Sequence, residues 1–246
     1  MQLDKDKTQQ GKISLLVSIV PSYEEVITSL ANRYKGQYDI AGEIFIDNQT
    51  SEYCLINVYR LTNSVRSLLI SELELSEELE IEKCSTAVAL TSYKLGYAAC
   101  EKMARYVSIF LNLGGIAAVN VSTGILRNKD QWLANYDSED VFDLYRLYAH
   151  SVQGDDYYYS NGMENFGKAD VSMDLTEELG LANYVMNVFN YYRLTESAIL
   201  KDGQTFQPDL ECPMYRMQWG EWEDNPFGKW HLSRVSSDLD ISYEVN

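Results

Sequence analysis

Cysteine, histidine and proline are scarce in this chain, and so is positive charge. Its 246 residues include 4 Cys, 2 His and 4 Pro, with 20 Lys plus Arg against 37 Asp plus Glu. Each shortage closes off a class of function. Cys54, Cys84, Cys100 and Cys212 are scattered with no C-x-x-C spacing, so no zinc site and no other metal centre is expected. They read as buried, reduced thiols of a cytosolic protein. His150 and His231 are too few and too far apart to mark a histidine-based centre, and no G-x-S-x-G elbow offers a nucleophile. The expectation for them is a cap at a helix end and a surface position on a strand. Neutralising phosphates needs clustered Lys and Arg, so a net charge of −17 argues against nucleic acid as a partner.

Long apolar runs are also missing. A membrane helix needs about eighteen uninterrupted apolar residues, and the richest stretch, 97–121, is broken by Glu101, Lys102, Arg105 and Gly114-Gly115. Residues 1–10 are polar and mixed in charge, so no signal peptide is expected. Gly114-Gly115 follows a helical pattern instead of opening one, which fits neither a phosphate loop nor a dinucleotide fingerprint. No cofactor is therefore expected. Asp155-Asp156 lacks the third spaced carboxylate of a calcium loop. No Gly/Ser tract or proline-rich linker divides the chain, so two halves, 1–123 and 124–246, are expected to pack as one body.

What is present is an ordinary globular composition, 46% hydrophobic, with strands and helices alternating. Ile13–Val20 reads as a buried strand ended by Pro21, and Ser22-Tyr-Glu-Glu25 as a capping box opening a helix with Val26, Ile27, Leu30, Ala31 and Tyr34 on one face. Glu43–Ile46 and Tyr53–Tyr59 form a hairpin pattern. Residues 63–82 read as helical and carry six glutamates between Glu72 and Glu82, either a docking surface or a solvated face. Strands at 85–91 and 116–121 flank a helix whose Leu95, Ala99, Met103, Tyr106, Val107 and Phe110 recur at three and four. A short helical turn at 130–136 and a helix after Ser138-Glu-Asp140 follow. Strands at 157–159 and 169–173 precede a helix capped at Asp174–Glu177, with Leu179, Ala182, Val185, Met186 and Phe189 inward. Strands at 214–219 and 229–235 end the chain, separated by a loop at 221–228. The fold class is α+β, with mixed sheets and packed helices. The opening β-α-β-β-α-β matches a ferredoxin-like split βαβ arrangement.

The strand Thr86-Ala-Val-Ala-Leu90, the approach to Gly114-Gly-Ile-Ala-Ala118, the segment Gly124-Ile-Leu-Arg-Asn128 with Trp132, and Leu200-Lys-Asp-Gly-Gln-Thr205 share a layout. With Tyr159-Ser-Asn-Gly-Met-Glu-Asn-Phe-Gly-Lys-Ala-Asp-Val-Ser-Met173 they resemble the bacterial family catalogued as domain of unknown function 4261. The likeness covers roughly residues 85–219 and makes Gly162, Phe166 and Gly167 structural signature positions. Two features of that family's pattern are absent. Ser85-Thr-Ala-Val stands where a His-x-x-His-like pair is expected, and Leu61-Thr-Asn-Ser-Val65 where a proline-rich loop is expected. The family name assigns no reaction.

Charge is unevenly distributed. Residues 1–123 hold 11 basic and 15 acidic residues, a balance of −4, and residues 124–246 hold 9 and 22, a balance of −13. The segment Trp219-Gly-Glu-Trp-Glu-Asp-Asn-Pro-Phe227 sets aromatics among carboxylates, as do Asp155, Asp156 and Tyr157. Aromatic rings are low-entropy interface anchors, and surrounding carboxylates complement a basic partner. The alternative is that the rings close the core while the acids face water. Asp155, Asp156, Tyr157, Glu221, Trp222, Glu223, Asp224 and Phe227 are the candidate partner-binding residues, and no catalytic residue is assigned. The expected function is a non-enzymatic cytosolic bacterial interaction protein, an immunity protein occluding a basic toxin. The competing classes are an enzyme or small-ligand domain of unknown reaction, and a structural subunit of a secretion-type assembly.

Overall fold

The structure is a computed structural model that describes residues 11–60, 83–196 and 198–235. The glutamate-rich segment 63–82 lies outside the described residues. The fold is α+β, with two sheets and five helices among the described residues. Two compact units emerge. The first runs to His150 and includes Asn165–Gly167; the second holds Ser151–Glu164 and the described residues from Lys168 on. Thr123, the end of the expected N-terminal half, lies in the connection between two paired strands of the first sheet.

The first unit begins with β1 (Ile13–Ile19), whose Ile13, Leu15, Val17 and Ile19 are all fully buried. Helix α1 (Tyr23–Tyr34) starts where the sequence places it. The Ser22 hydroxyl accepts from Glu25 N, and the Glu25 carboxylate accepts from Ser22 N at 2.8 Å. Then come β2 (Tyr38–Ala41), β3 (Ile44–Asp47), β4 (Glu52–Arg60), β5 (Thr86–Ser92), α2 (Tyr97–Asn112), β6 (Gly115–Asn120), β7 (Leu126–Asn128), α3 (Lys129–Asn135) and α4 (Val141–Tyr148). The sheet order is β2-β3-β4-β5-β1-β6-β7, antiparallel throughout. Its centre, β4-β5-β1-β6, has the strand order of a split βαβ arrangement built from β1, α1, β4, β5, α2 and β6. The sequence expectation used different members, taking 43–46 as the second strand and 63–82 as the second helix. The reason is β2, which the sequence reading missed. It turns β3 into part of an added edge hairpin and leaves β4 as the second strand of the motif.

Helix α2 packs over β1, β5 and β6, with Met103, Tyr106, Val107 and Phe110 buried. Two side chains tie it to the helices that follow. Trp132 Nε1 donates to Ala104 O at 3.0 Å, and Tyr148 Oη donates to Cys100 O at 2.6 Å. Cys100 and Ala104 lie one helical turn apart, so both anchors grip one face. Gly115 is where α2 meets β6. A Cβ there would sit 2.8 Å from Leu111 Cα and 2.9 Å from Phe110 O. The diglycine is thus a close-packing device.

The second unit has a mixed six-stranded sheet. Its strands are β8 (His150–Gln153), β9 (Tyr157–Asn161), β10 (Asp170–Asp174), β11 (Thr205–Phe206), β12 (Tyr215–Trp222) and β13 (Asn225–Arg234). Their order is β11-β12-β13-β10-β9-β8, and β10 and β13 run parallel. Helix α5 (Leu179–Thr195) covers one face, burying Ala182, Val185, Met186 and Phe189 against Val171, Met173, Tyr215, Met217 and Leu232. Two expectations are corrected here. The helix does not start at Asp174–Glu177. It starts after Glu178, whose carboxylate accepts from Gly180 N at 3.1 Å, and Leu179 is exposed. The expected loop 221–228 is the end of a long hairpin. Trp219 pairs with Trp230 and Trp222 with Asn225, leaving a two-residue turn at Glu223-Asp224 and a bulge beyond Gly220. Glycine, asparagine and proline served there to bend strands, not to end them.

Candidate functional site

Side chains opposite one another on neighbouring strands share a face. Register therefore sorts the second sheet. Val171, Met173, Tyr158, Met217 and Leu232 face α5, and Ser172, Asp174, Tyr157, Tyr159 and His231 face the other way. This second face is polar and aromatic, and it gathers residues that are far apart in sequence.

Its centre is a cation seated on aromatic rings. Lys229 Nζ lies 4.0 Å from the Tyr157 ring centroid and 5.3 Å from that of Trp222. Trp222 meets Tyr159 edge to face at 5.3 Å, and Tyr159 meets Tyr157 at 6.0 Å. Two rings, Tyr157 and Trp222, thus clamp one ammonium in the geometry of cation–π recognition, and Tyr159 packs edge-on against both of them. Burial and the nearby charge of Asp224 raise the Tyr159 pKa, so the phenol stays neutral. Lys229 makes no ion pair among the described residues.

Two of the candidate partner-binding residues belong to this clamp, and the others are neighbours of those two in sequence. Tyr157 and Trp222 are clamp rings, Asp155 and Asp156 form the exposed turn before β9, and Glu221, Glu223 and Asp224 are exposed around the hairpin end. Phe227 is 36% exposed and Trp219 51%, so the rings do not all close the core. Phe227 is placed by its backbone, whose N–H donates to Asn225 Oδ1 at 2.8 Å. None of the signature residues is a clamp ring. Phe166 packs on Tyr148 at 5.8 Å in the first unit, and Gly162 and Gly167 hold φ of +119° and +67°, conformations suited to glycine.

The sequence reading missed what supports the hairpin. Asp170 is buried on β10 and accepts from Ser160 Oγ at 2.8 Å, Met163 N at 3.2 Å and Asn225 Nδ2 at 2.5 Å. Burial raises its pKa to about 6, against the pull of these hydrogen bonds and of Arg193. Asn225 also donates to Lys168 O at 3.2 Å. The hairpin is therefore pinned at its first β13 residue by a buried carboxylate. Only the three-dimensional pairing of β9, β10 and β13 brings these partners together.

A nucleophile does lie beside one histidine, contrary to expectation. Ser172 Oγ is 3.0 Å from His231 Nδ1, and His231 Nε2 is 3.4 Å from Asp174 Oδ1. The order Ser-His-Asp is that of a hydrolytic triad. Ser172, however, has no accessible surface. A substrate carbonyl cannot reach its oxygen, so the chain ties β10 to β13 instead. Two of the thiols are held protonated: burial pushes Cys54 to about 12 and Cys100 well above its usual value. Cys84 is buried as expected, whereas Cys212 is only half-buried.

No family model, curated protein or solved structure matches this chain. No helix among the described residues is long and apolar enough to cross a membrane.

Proposed function

We propose that the chain is a non-enzymatic interaction protein of the bacterial cytosol, an immunity protein that occludes the cleft of a basic toxin or effector. The observation that carries this reading is Lys229 seated on Tyr157 and Trp222. The clamp already accepts an ammonium, and exposed carboxylates flank it on both turns. A partner's Arg or Lys would take the same rings in place of Lys229, and Asp155, Asp156, Glu221, Glu223 and Asp224 would meet further basic groups. Aromatic anchors within a charged rim are the usual anatomy of a tight interface. The net −13 of residues 124–246 would speed the encounter.

The test is retention of a basic protein from the producing cells by the immobilised chain. Wild type is compared with Trp222→Ala and with a triple Glu221→Lys, Glu223→Lys, Asp224→Lys variant. The reading expects wild type to hold a protein of pI above about 9 and both variants to lose it. Absence of any such protein, or equal retention by all three, would overturn it.

A further inference from the structure

A separate cavity in the first unit has the chemistry of a small-molecule site. It measures about 340 Å³, and Asp47, Glu52, Lys94, Lys102, Arg105 and Tyr106 carry its polar lining. The volume is within the range of small-ligand pockets, about 300–1,000 Å³. The walls come from the turn joining β3 to β4, the loop before α2, and α2 itself.

Two buried residues of the lining have hydrogen-bonding capacity to spare. The Tyr106 ring is wedged against Phe45 at 5.1 Å and Tyr38 at 6.4 Å, and the residue is 1% exposed. Its hydroxyl nonetheless has no hydrogen-bond partner. Buried hydroxyls are almost always paired, so this one awaits a partner in the cavity. Burial, with Asp47 and Glu52 nearby, raises its pKa and keeps it a neutral donor and acceptor. Asp47 is also buried. Its Oδ1 accepts from Gln49 N at 2.9 Å and Thr50 N at 3.4 Å, and these hydrogen bonds leave Oδ2 unused.

The remaining wall is basic. Lys102 Nζ lies 3.0 Å from Glu52 Oε1, and Lys94 Nζ lies 4.0 Å from the same oxygen. One carboxylate thus serves two ammoniums. Arg105 is exposed and makes no ion pair among the described residues. Glu101 also lines the cavity, so the lining carries three acids and three bases. A simple anion would meet the acids and a simple cation the bases.

We infer that this cavity binds a small zwitterion of the free-amino-acid class. The ligand's ammonium donates to Asp47 Oδ2 and Tyr106 Oη, and its carboxylate is held by Arg105 and Lys102. This site is independent of the aromatic clamp and stands or falls without it.

The experiment is calorimetric titration of the full chain with the natural amino acids. Each hit is repeated as its N-acetyl and its amide form, with inorganic phosphate as the anion probe. At least one amino acid should bind, and blocking either end should weaken it about tenfold or more. Tyr106→Phe and Arg105→Ala should each weaken it by a similar factor. Tyr106→Phe removes only an unpaired hydroxyl, so its unchanged unfolding temperature certifies the fold. Binding of phosphate alone, indifference to acetylation or amidation, wild-type affinity in either variant, or no amino acid bound would each overturn the inference.

Discussion

Asp170 is a buried carboxyl whose titration the fold shifts upward. Its carboxyl titrates near 6 in the folded protein, above the ordinary 3.8. The sign follows from linkage. Above pH 6 the group is ionised in both states, and the folded state bears the full cost of burying the charge. As pH falls through 6, the folded carboxyl takes up a proton before the unfolded one, so this group adds stability down to about pH 4. Asp170→Asn removes the titration. Urea unfolding should find the variant's stability relative to wild type falling by roughly 1 kcal/mol between pH 7 and pH 5. A constant difference across that range would show that Asp170 does not titrate there. Tyr148→Phe is a second residue-level case. It deletes the donor to Cys100 O while keeping the ring, so a loss of about 1 kcal/mol is expected in the same assay.

At the level of elements, the hairpin of β12 and β13 decides whether the clamp exists. Gly228 holds φ +77°, and a Cβ there would lie 2.5 Å from Gly220 O and 3.1 Å from the Trp219 ring. Gly228→Ala should therefore cost about 2 kcal/mol or more and shift tryptophan emission to the red, while Tyr148 and Trp132 keep the first unit intact. Unchanged emission and stability would mean that the bulge tolerates a side chain. This hairpin also shows what the sequence makes legible. Alternation at 214–219 and 229–235 reveals both strands, and the helix faces of α2 and α5 follow from three-four spacing. The turn does not reveal itself, because Gly220, Asn225, Pro226 and Gly228 have the same composition as a loop. Likewise β2 is only four residues long, too short to display alternation. Asp155, Asp156, Tyr157, Glu221 and Trp222 were visible as acid–aromatic clusters. Lys229 was not, because a lone lysine carries no signal until register sets it over a ring. Ser172 and His231 were hidden for the same reason, being cross-strand partners 59 positions apart.

For the whole molecule, the proposed docking of a basic protein would be dependent on salt, because the chain carries excess negative charge. Raising ionic strength from about 0.05 M to 0.5 M shortens the Debye length severalfold. Partner association should slow by tenfold or more in stopped-flow, with dissociation changing far less. A rate indifferent to salt would remove charge from the account and leave only the rings.

The central claim is that the rings around Lys229 are a seat for a partner's cation. Ring currents should shift the ε-methylene protons of Lys229 upfield in the free chain, and proton–carbon NMR of lysine-labelled protein reads that shift directly. On saturation with the basic protein retained in the pull-down, the account predicts that this resonance moves to the position of an exposed lysine as the partner's side chain takes the rings. If the Lys229 signal keeps its upfield position in the saturated complex, the rings are a structural feature of the second sheet and the proposed docking site is wrong.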